Sequence, residues 1–463
     1  MALIKPLTRP TDVASLAAGA AEKTVDRVRQ PLRWGVNHAI PRALVKRSAK
    51  RGDLQGQMIL AGKAKDHWAV LDIFEKVRAS GPLHRGMFGY VTTDLEVCKE
   101  VLTSNDFVTG FPTDASGALA RLSQWANEPD MLGPLVPPSL LVTEPPDHTR
   151  YRKLVTRVFT VRAVEKLRER AETIAHELLD DLEQRARAGE AVDLVQTYCA
   201  ELPVTMIAEI LGVPEADRHR VLDFGQGAAP SLDLGLSWAE MRQVERSLSE
   251  FDTWLTAHLQ HLAENPGDDL LSQLAVAKEE GVGLTDAELK ATAGLVLAAG
   301  FETTVNLLGN GIVLLKEHPE QLAALREDPS LWPNAVDEML RIDPPVLLTG
   351  RLCANDTVVA GQQVPKGWFI TTALAGANRD PKVFDDPGAF DVRRENARDH
   401  VAFSSGRHYC LGAALARMEG EVGLQVLFER YPDLELAPGR RRRPTRILRG
   451  WSVLPVRLGA PAA

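Results

Sequence analysis

Phe403-Ser404-Ser405-Gly406-Arg407-His408-Tyr409-Cys410-Leu411-Gly412-Ala413-Ala414-Leu415-Ala416-Arg417 places one cysteine in a glycine-flanked loop. A helical pattern follows at once, with Leu411, Leu415, Met418 and Val422 recurring at helical spacing. Cys410 therefore falls just before a helix N-terminus, where backbone N–H groups and the macrodipole favour negative charge. That is a place to hold a thiolate. Gly406 and Gly412 let the backbone approach something flat and bulky. Arg407 and His408 can donate hydrogen bonds to anionic groups beside it.

The spacing Phe403-x-x-Gly406-x-His408-x-Cys410-x-Gly412-x-x-Leu415-Ala416-Arg417 resembles the haem-binding loop of the cytochrome P-450 family of haem-thiolate monooxygenases. Ser404 stands where that family often has glycine. The resemblance implies that Cys410 is the axial ligand of a haem b iron. It also implies that His408 binds a propionate, Phe403 covers the sulfur side, Gly412 lies against the cofactor, and Arg407 shapes the surface near a redox partner.

Three further segments carry the same resemblance, in the family's order. Pro145-Pro146-Asp147-His148 opens a helix on which His148 and Arg152 share a face at i and i+4. They resemble the family's propionate-binding His and Arg. Residues 285–317 read as one long helix, starting at the capping box Thr285-Asp-Ala-Glu288. Its centre, Ala298-Ala299-Gly300-Phe301-Glu302-Thr303-Thr304, is poor helix-interior chemistry. Gly costs about 1 kcal/mol against Ala, Thr bonds back to the i−4 carbonyl, and a buried Glu is costly unless paired. This stretch resembles the family's oxygen-activating groove. Glu338-Met-Leu-Arg341 resembles its structural ion pair, and Gly350-Arg351-Leu352 the strand whose arginine meets a propionate.

Composition sets the outer bounds. The chain has 463 residues, 44% of them hydrophobic, enough for a large core. Cys98, Cys199, Cys353 and Cys410 show no paired spacing, which argues for a reducing compartment and against a disulfide framework. No Cys/His cluster suggests zinc. No apolar run approaches the roughly 18 residues that span a membrane, and no secretory signal pattern opens the chain. A cytoplasmic monomer is expected. The net charge of −8 is uneven: residues 1–51 hold eleven Lys/Arg and three Asp/Glu, leaving an acidic body. That body argues against nucleic-acid binding. The basic arm reads as a solvated or loosely packed extension, with weak contact to an anionic membrane surface or an organelle-targeting segment as its alternatives.

Residues 1–65 are thus expected to form a basic N-terminal extension, and 66–463 a single domain. Residues 66–80 and 94–103 read as short helices, and 161–262 as mostly helical. Strand-like segments cluster near 81–95, 345–375 and 440–460. The expected fold is mainly α with a small β lobe, and by the resemblance holds haem between the long helix and the cysteine loop. The Gly/Pro-rich stretch 109–141, with Phe111, Leu119, Trp125, Met131, Leu132, Leu135 and Leu140, reads as a lid or pocket wall. Residues 224–237 read as a flexible connection within a substrate roof. Arg440–Arg443 reads as a solvated turn. Leu295, Ala298, Leu347, Leu348, Thr349 and Trp451 are expected to line the substrate pocket, and Ala299 to lie against the haem.

The resemblance implies a monooxygenase that inserts one oxygen atom of O2 into a lipid, terpenoid, steroid or polyketide-like compound. Thr303 would donate a hydrogen bond to the oxygen being activated, Glu302 would relay protons from solvent, and Gly300 would make room for oxygen. No G-x-G-x-x-G lies between a strand and a helix. Electrons from NAD(P)H are therefore expected through a separate ferredoxin and reductase. A peroxide-driven peroxygenase is the nearest alternative, disfavoured by the Glu302-Thr303 pair. A non-catalytic haem sensor is the alternative from another class.

Overall fold

The computed structural model describes residues 29–62, 68–110, 125–126, 132–156, 161–185, 190–277 and 281–461. The fold is mainly helical, with small sheets at one side. Its axis is the helix Asp286–Glu317, 32 residues long and so about 48 Å from end to end. The capping box closes as the sequence indicates. Thr285 Oγ1 accepts from the Glu288 amide, and the Glu288 carboxylate accepts from the Thr285 amide at 2.8 Å. Length and composition would let this helix cross a membrane, contrary to the sequence expectation, but 72% of that span is buried inside the body.

The axis packs against Glu201–Ile210, Arg218–Ala228, Trp332–Ile342 and Ala413–Arg430. Two close approaches need glycine. A Cβ on Gly300 would meet Ile207 Cγ1 at 2.9 Å, and one on Gly225 would meet Phe301 Cζ at 2.0 Å. Gly300 therefore also serves helix packing. The flexible connection expected over 224–237 is corrected. Helix continues to Ala228, a 3-10 turn follows over Ala229–Leu232, and Trp238–Glu264 begins at a second capping box, Ser237/Glu240. Gly225 reflects a tight helix crossing there, not a break.

The main sheet has five strands in the order His84–Gly86, Gly89–Thr92, Phe369–Thr372, Thr349–Cys353 and Phe107–Val108. All pairings are antiparallel except Gly89–Thr92 with Phe369–Thr372, which is parallel. Packed structure starts ahead of residue 66, where the extension was expected to end. Helices Ile40–Lys50 and Leu54–Ala61 lie on the body, and Met58 is buried with Val70, Phe74 and Leu347. Arg33 pairs with Glu245 at 2.7 Å.

One helix fixes the approach to the cysteine loop. Glu338 and Arg341 in Trp332–Ile342 are fully buried. Arg341 donates from Nε and Nη2 to the Glu338 carboxylate at 2.6 and 2.7 Å. Its remaining N–H groups reach the carbonyls of Asn378, Pro387 and Ala389. All five guanidinium donors are thereby satisfied. Arg394 Nε and the Asp391 amide also donate to Glu338. Asp337, next in sequence, accepts from Arg398, His400 and Arg417, which lie on both sides of the loop.

Breaking a buried pair from one side costs roughly 3–5 kcal/mol, whereas an exposed pair is worth less than about 1 kcal/mol. Arg341→Met is expected to lower the unfolding free energy by that larger amount, read as a clear fall in the denaturant midpoint. Arg440→Gln, which breaks the exposed pair to Glu317, should barely move it. Equal midpoints for the two variants would contradict this reading of the clamp.

Candidate active site

Cys98, Cys199 and Cys353 are buried, whereas Cys410 is exposed. The loop backbone is closed by the Cys410 amide donating to the Phe403 carbonyl at 2.9 Å. Ser404 sits at φ 64°, in the left-handed region. A non-glycine residue is uncommon there, which accounts for the preference for glycine at this position. Burial pushes the Cys410 thiol up, while the Gly412 amide, Arg152 and Arg417 pull it down. The helix terminus alone therefore does not make the thiolate expected from the sequence. A metal cation at the sulfur would, since a coordinating thiol is deprotonated outright.

Basic side chains gather beside this sulfur. Arg152 Nη2 donates to the Tyr409 carbonyl at 2.6 Å. The His148 and His408 rings lie 4.4 Å apart. Arg351 is buried on its strand and donates to the Gly350 carbonyl at 2.9 Å. Burial and the charges of His408 and Arg152 lower His148 to about 4. Burial lowers Arg351 to about 10, with Glu144 opposing and Arg407 assisting. Glu144 is the carboxylate among them. Arg407 Nη1 lies 3.0 Å from it, His408 Nε2 3.4 Å, and the Thr109 amide 2.6 Å. Burial works to raise Glu144, but hydrogen bonds from His408 and Thr109 hold it at about 2. Arg407 also reaches the Ser104 carbonyl and Asn105. These bonds tie the half-buried Arg407 to the Phe107–Val108 side of the loop.

The second opening lies on the central helix. Ala299 is exposed in the middle of an otherwise buried run, and Leu295, Ala298, Gly300 and Thr303 are half-open. Thr303 Oγ1 donates to the Ala299 carbonyl at 3.0 Å. Glu302 is buried, and Arg443 Nη1 lies 2.8 Å from its Oε1. Burial pushes Glu302 up to about 7, with Arg443 opposing. Arg443 thus stands beside the Glu302 carboxyl.

A family model described as Cytochrome P450 matches residues 203–457. The putative cytochrome P450 140 of Mycobacterium tuberculosis is 49% identical, covering 93% of this chain and 98% of that protein. The chain belongs to the cytochrome P450 family. The 6-deoxyerythronolide B hydroxylase of Saccharopolyspora erythraea is 42% identical, over 68% of this chain and 77% of its own length. Among solved structures, the Bacillus subtilis 168 bacillaene polyketide synthase cytochrome P450 PksS superposes with a TM-score of 0.76 at 30% identity. It covers 86% of this chain and 99% of its own.

P450 enzymes are oxidoreductases that carry haem b and use O2 with electrons from NAD(P)H through partner proteins. The residues here fit that cofactor. Cys410 is the open thiol, and a Cβ at Gly412 would meet no heavy atom within 4 Å. His148 Nε2 is buried without a hydrogen-bond partner among the described residues. Among the described residues, Arg152, Arg351, Arg407 and the two histidines gather with one carboxylate, Glu144, an excess of donors suited to propionates. Phe403 is half-buried beneath the Arg417 guanidinium, 4.6 Å from its ring centroid.

Two expected pocket residues are corrected. Leu347 is packed with Met58, Val70 and Phe74, and Trp451 is buried under Arg442, 3.9 Å above its ring. Leu348 and Thr349 remain half-buried. Phe111, Leu119 and Met131 lie outside the described residues. The basic run expected as a solvated turn is also corrected. Arg442 bonds Asn310 and Asp343, while Arg443 holds Glu302. Buried acids on the central body draw these cations inward. Sequence reading missed Arg443 because a four-arginine run looks like solvent-facing charge. It missed Glu144 because the following prolines read only as a helix start.

A carboxyl titrating near 7 holds its proton on the acid side and loses it above. In the holoenzyme, product formed per electron pair is expected to fall as pH rises through about 7. Glu302→Gln should flatten that step. A step of unchanged size and midpoint in Glu302→Gln would assign it to another group.

Proposed function

We propose that this P450 inserts one oxygen atom of O2 into a C–H bond or alkene of a bulky apolar substrate of polyketide-like character, with electrons delivered by a ferredoxin and its reductase. The observation that carries the reading is the central helix. It presents Ala299 and Thr303 as an open stripe, with a proton-holding Glu302 immediately behind Thr303. Haem, when bound, supplies the oxidising chemistry, because a thiolate ligand pushes electron density to iron and favours O–O cleavage.

The chain's own residues orient the cofactor, exclude water and move protons. Cys410 would hold the iron. His148, Arg152, Arg351 and His408 would grip the propionates. The Thr303 hydroxyl, parked on the Ala299 carbonyl, can rotate its proton toward the open face. Glu302 can resupply it when the bond to Arg443 loosens. Leu295, Ala298 and Ala299 give the open stripe an apolar floor. The 6-deoxyerythronolide B hydroxylase and the bacillaene synthase P450 support a polyketide-like substrate over a small polar one. A carbon-rich ligand would be held mainly by apolar area, with few polar contacts for orientation.

Thr303→Ala tests the proton role. The variant is expected to keep haem and the optical shift on substrate binding, yet to lose about tenfold or more of product per NADH, released instead as peroxide; positioned proton transfer is worth roughly 10²–10⁴ in rate. Unchanged coupling would rule out Thr303 as the donor. A screen of polyketide, steroid and fatty-acid ligands by optical shift tests the substrate class, and a response confined to fatty acids would contradict it.

A further inference from the structure

The packed part of the basic arm has an outward face that the oxygenase chemistry does not use. Helix Ile40–Lys50 continues from the π-helical turn Gly35–Ala39, with Pro41 in its first turn. Its inward residues, Val45 and Ser48, are buried. Its outward residues are Ile40, Ala43, Leu44, Lys46, Arg47 and Lys50, followed by Arg51. Ile40 and Leu44 are 45% and 41% exposed, one turn apart. The helix contains no acidic residue. Beside it, the turn Asp233–Ser237 leaves Leu234 exposed, and Gly235 lies against Arg42. Two large exposed aliphatics thus stand on one cationic helix face, although the chain as a whole is acidic at −8.

We propose that the outward face of helix Ile40–Lys50 docks on an anionic lipid bilayer. An amphipathic helix lying in the interface buries its apolar side chains at the headgroup boundary while flanking Lys and Arg meet the lipid phosphates. Ile40 and Leu44 form one edge of the outward arc, Lys46 and Lys50 the other, with Ala43 and Arg47 between them and Arg51 just past the helix end. That order suits a flat anionic surface with an apolar layer beneath it. An acidic protein would satisfy the charges but offers no such layer to two protruding aliphatics. Docking here would hold the enzyme where lipophilic substrates partition. The inference stands independently of the substrate class proposed above.

The test is co-sedimentation of the holoenzyme with vesicles of phosphatidylcholine alone or mixed with about 30% phosphatidylglycerol, at low and high salt. The wild type is expected to bind the anionic vesicles, to ignore the neutral ones, and to be released by salt. Lys46→Glu/Lys50→Glu and, separately, Ile40→Ser/Leu44→Ser should each weaken binding at least tenfold while the visible spectrum stays that of the folded holoenzyme. Failure of the wild type to bind overturns the proposal. So does equal binding to both vesicle types, or binding that survives either pair of substitutions.

Discussion

The Glu338–Arg341 pair is closed to solvent, and the cysteine side of the molecule hangs from it. A buried pair is no net gain over well-packed apolar residues, because desolvation offsets the attraction. Its value here is in specification. Every donor of Arg341 is addressed to a defined acceptor, and three of those acceptors are backbone carbonyls between Asn378 and Ala389. Asp337 continues the same device into the loop itself, through His400 before Cys410 and Arg417 after it. The sulfur is thereby held against a helix that contacts the central axis, rather than on a free surface loop.

Once the loop is fixed, the electrostatics follow from what is left unbalanced. Around Cys410 the cations outnumber the carboxylates, and burial makes that excess costly to the protein alone. His148 is driven well below its ordinary value, and Arg351 is lowered too. A dianionic cofactor would relieve both. On the central helix the imbalance has the opposite sense. Glu302 is a buried acid with one cation at 2.8 Å, and burial leaves it poised near neutrality. One side of the site is built to receive negative charge, and the other to hold a proton.

The sequence carried the local part of this arrangement. The capping box at Thr285, the ion pair three residues apart at Glu338 and Arg341, and the cysteine before a helical repeat all lie within one turn of chain. They were legible because their spacing is set by helix geometry. What could not be read depends on partners far away in sequence. Arg443 looks like solvated charge until Glu302, more than a hundred residues earlier, is brought against it. Gly225 looks like a break until Phe301 fills the space at its α-carbon. Trp451 and Leu347 look like pocket walls, yet one lies beneath Arg442 and the other within the cluster around Met58. Helix 40–50 looked like an extension because its buried face is narrow, Val45 and Ser48, and 54–61 because two of the three residues it buries, Gln55 and Gly56, are not apolar markers.

The central claim is that Cys410 ligates haem iron as a thiolate. Its most direct test is the absorbance spectrum of the reduced holoenzyme under carbon monoxide. The wild type should show the long-wavelength Soret band characteristic of thiolate ligation, and Cys410→Ala should lack it while Cys353→Ala keeps it. A thiolate-type band persisting in Cys410→Ala would contradict the account.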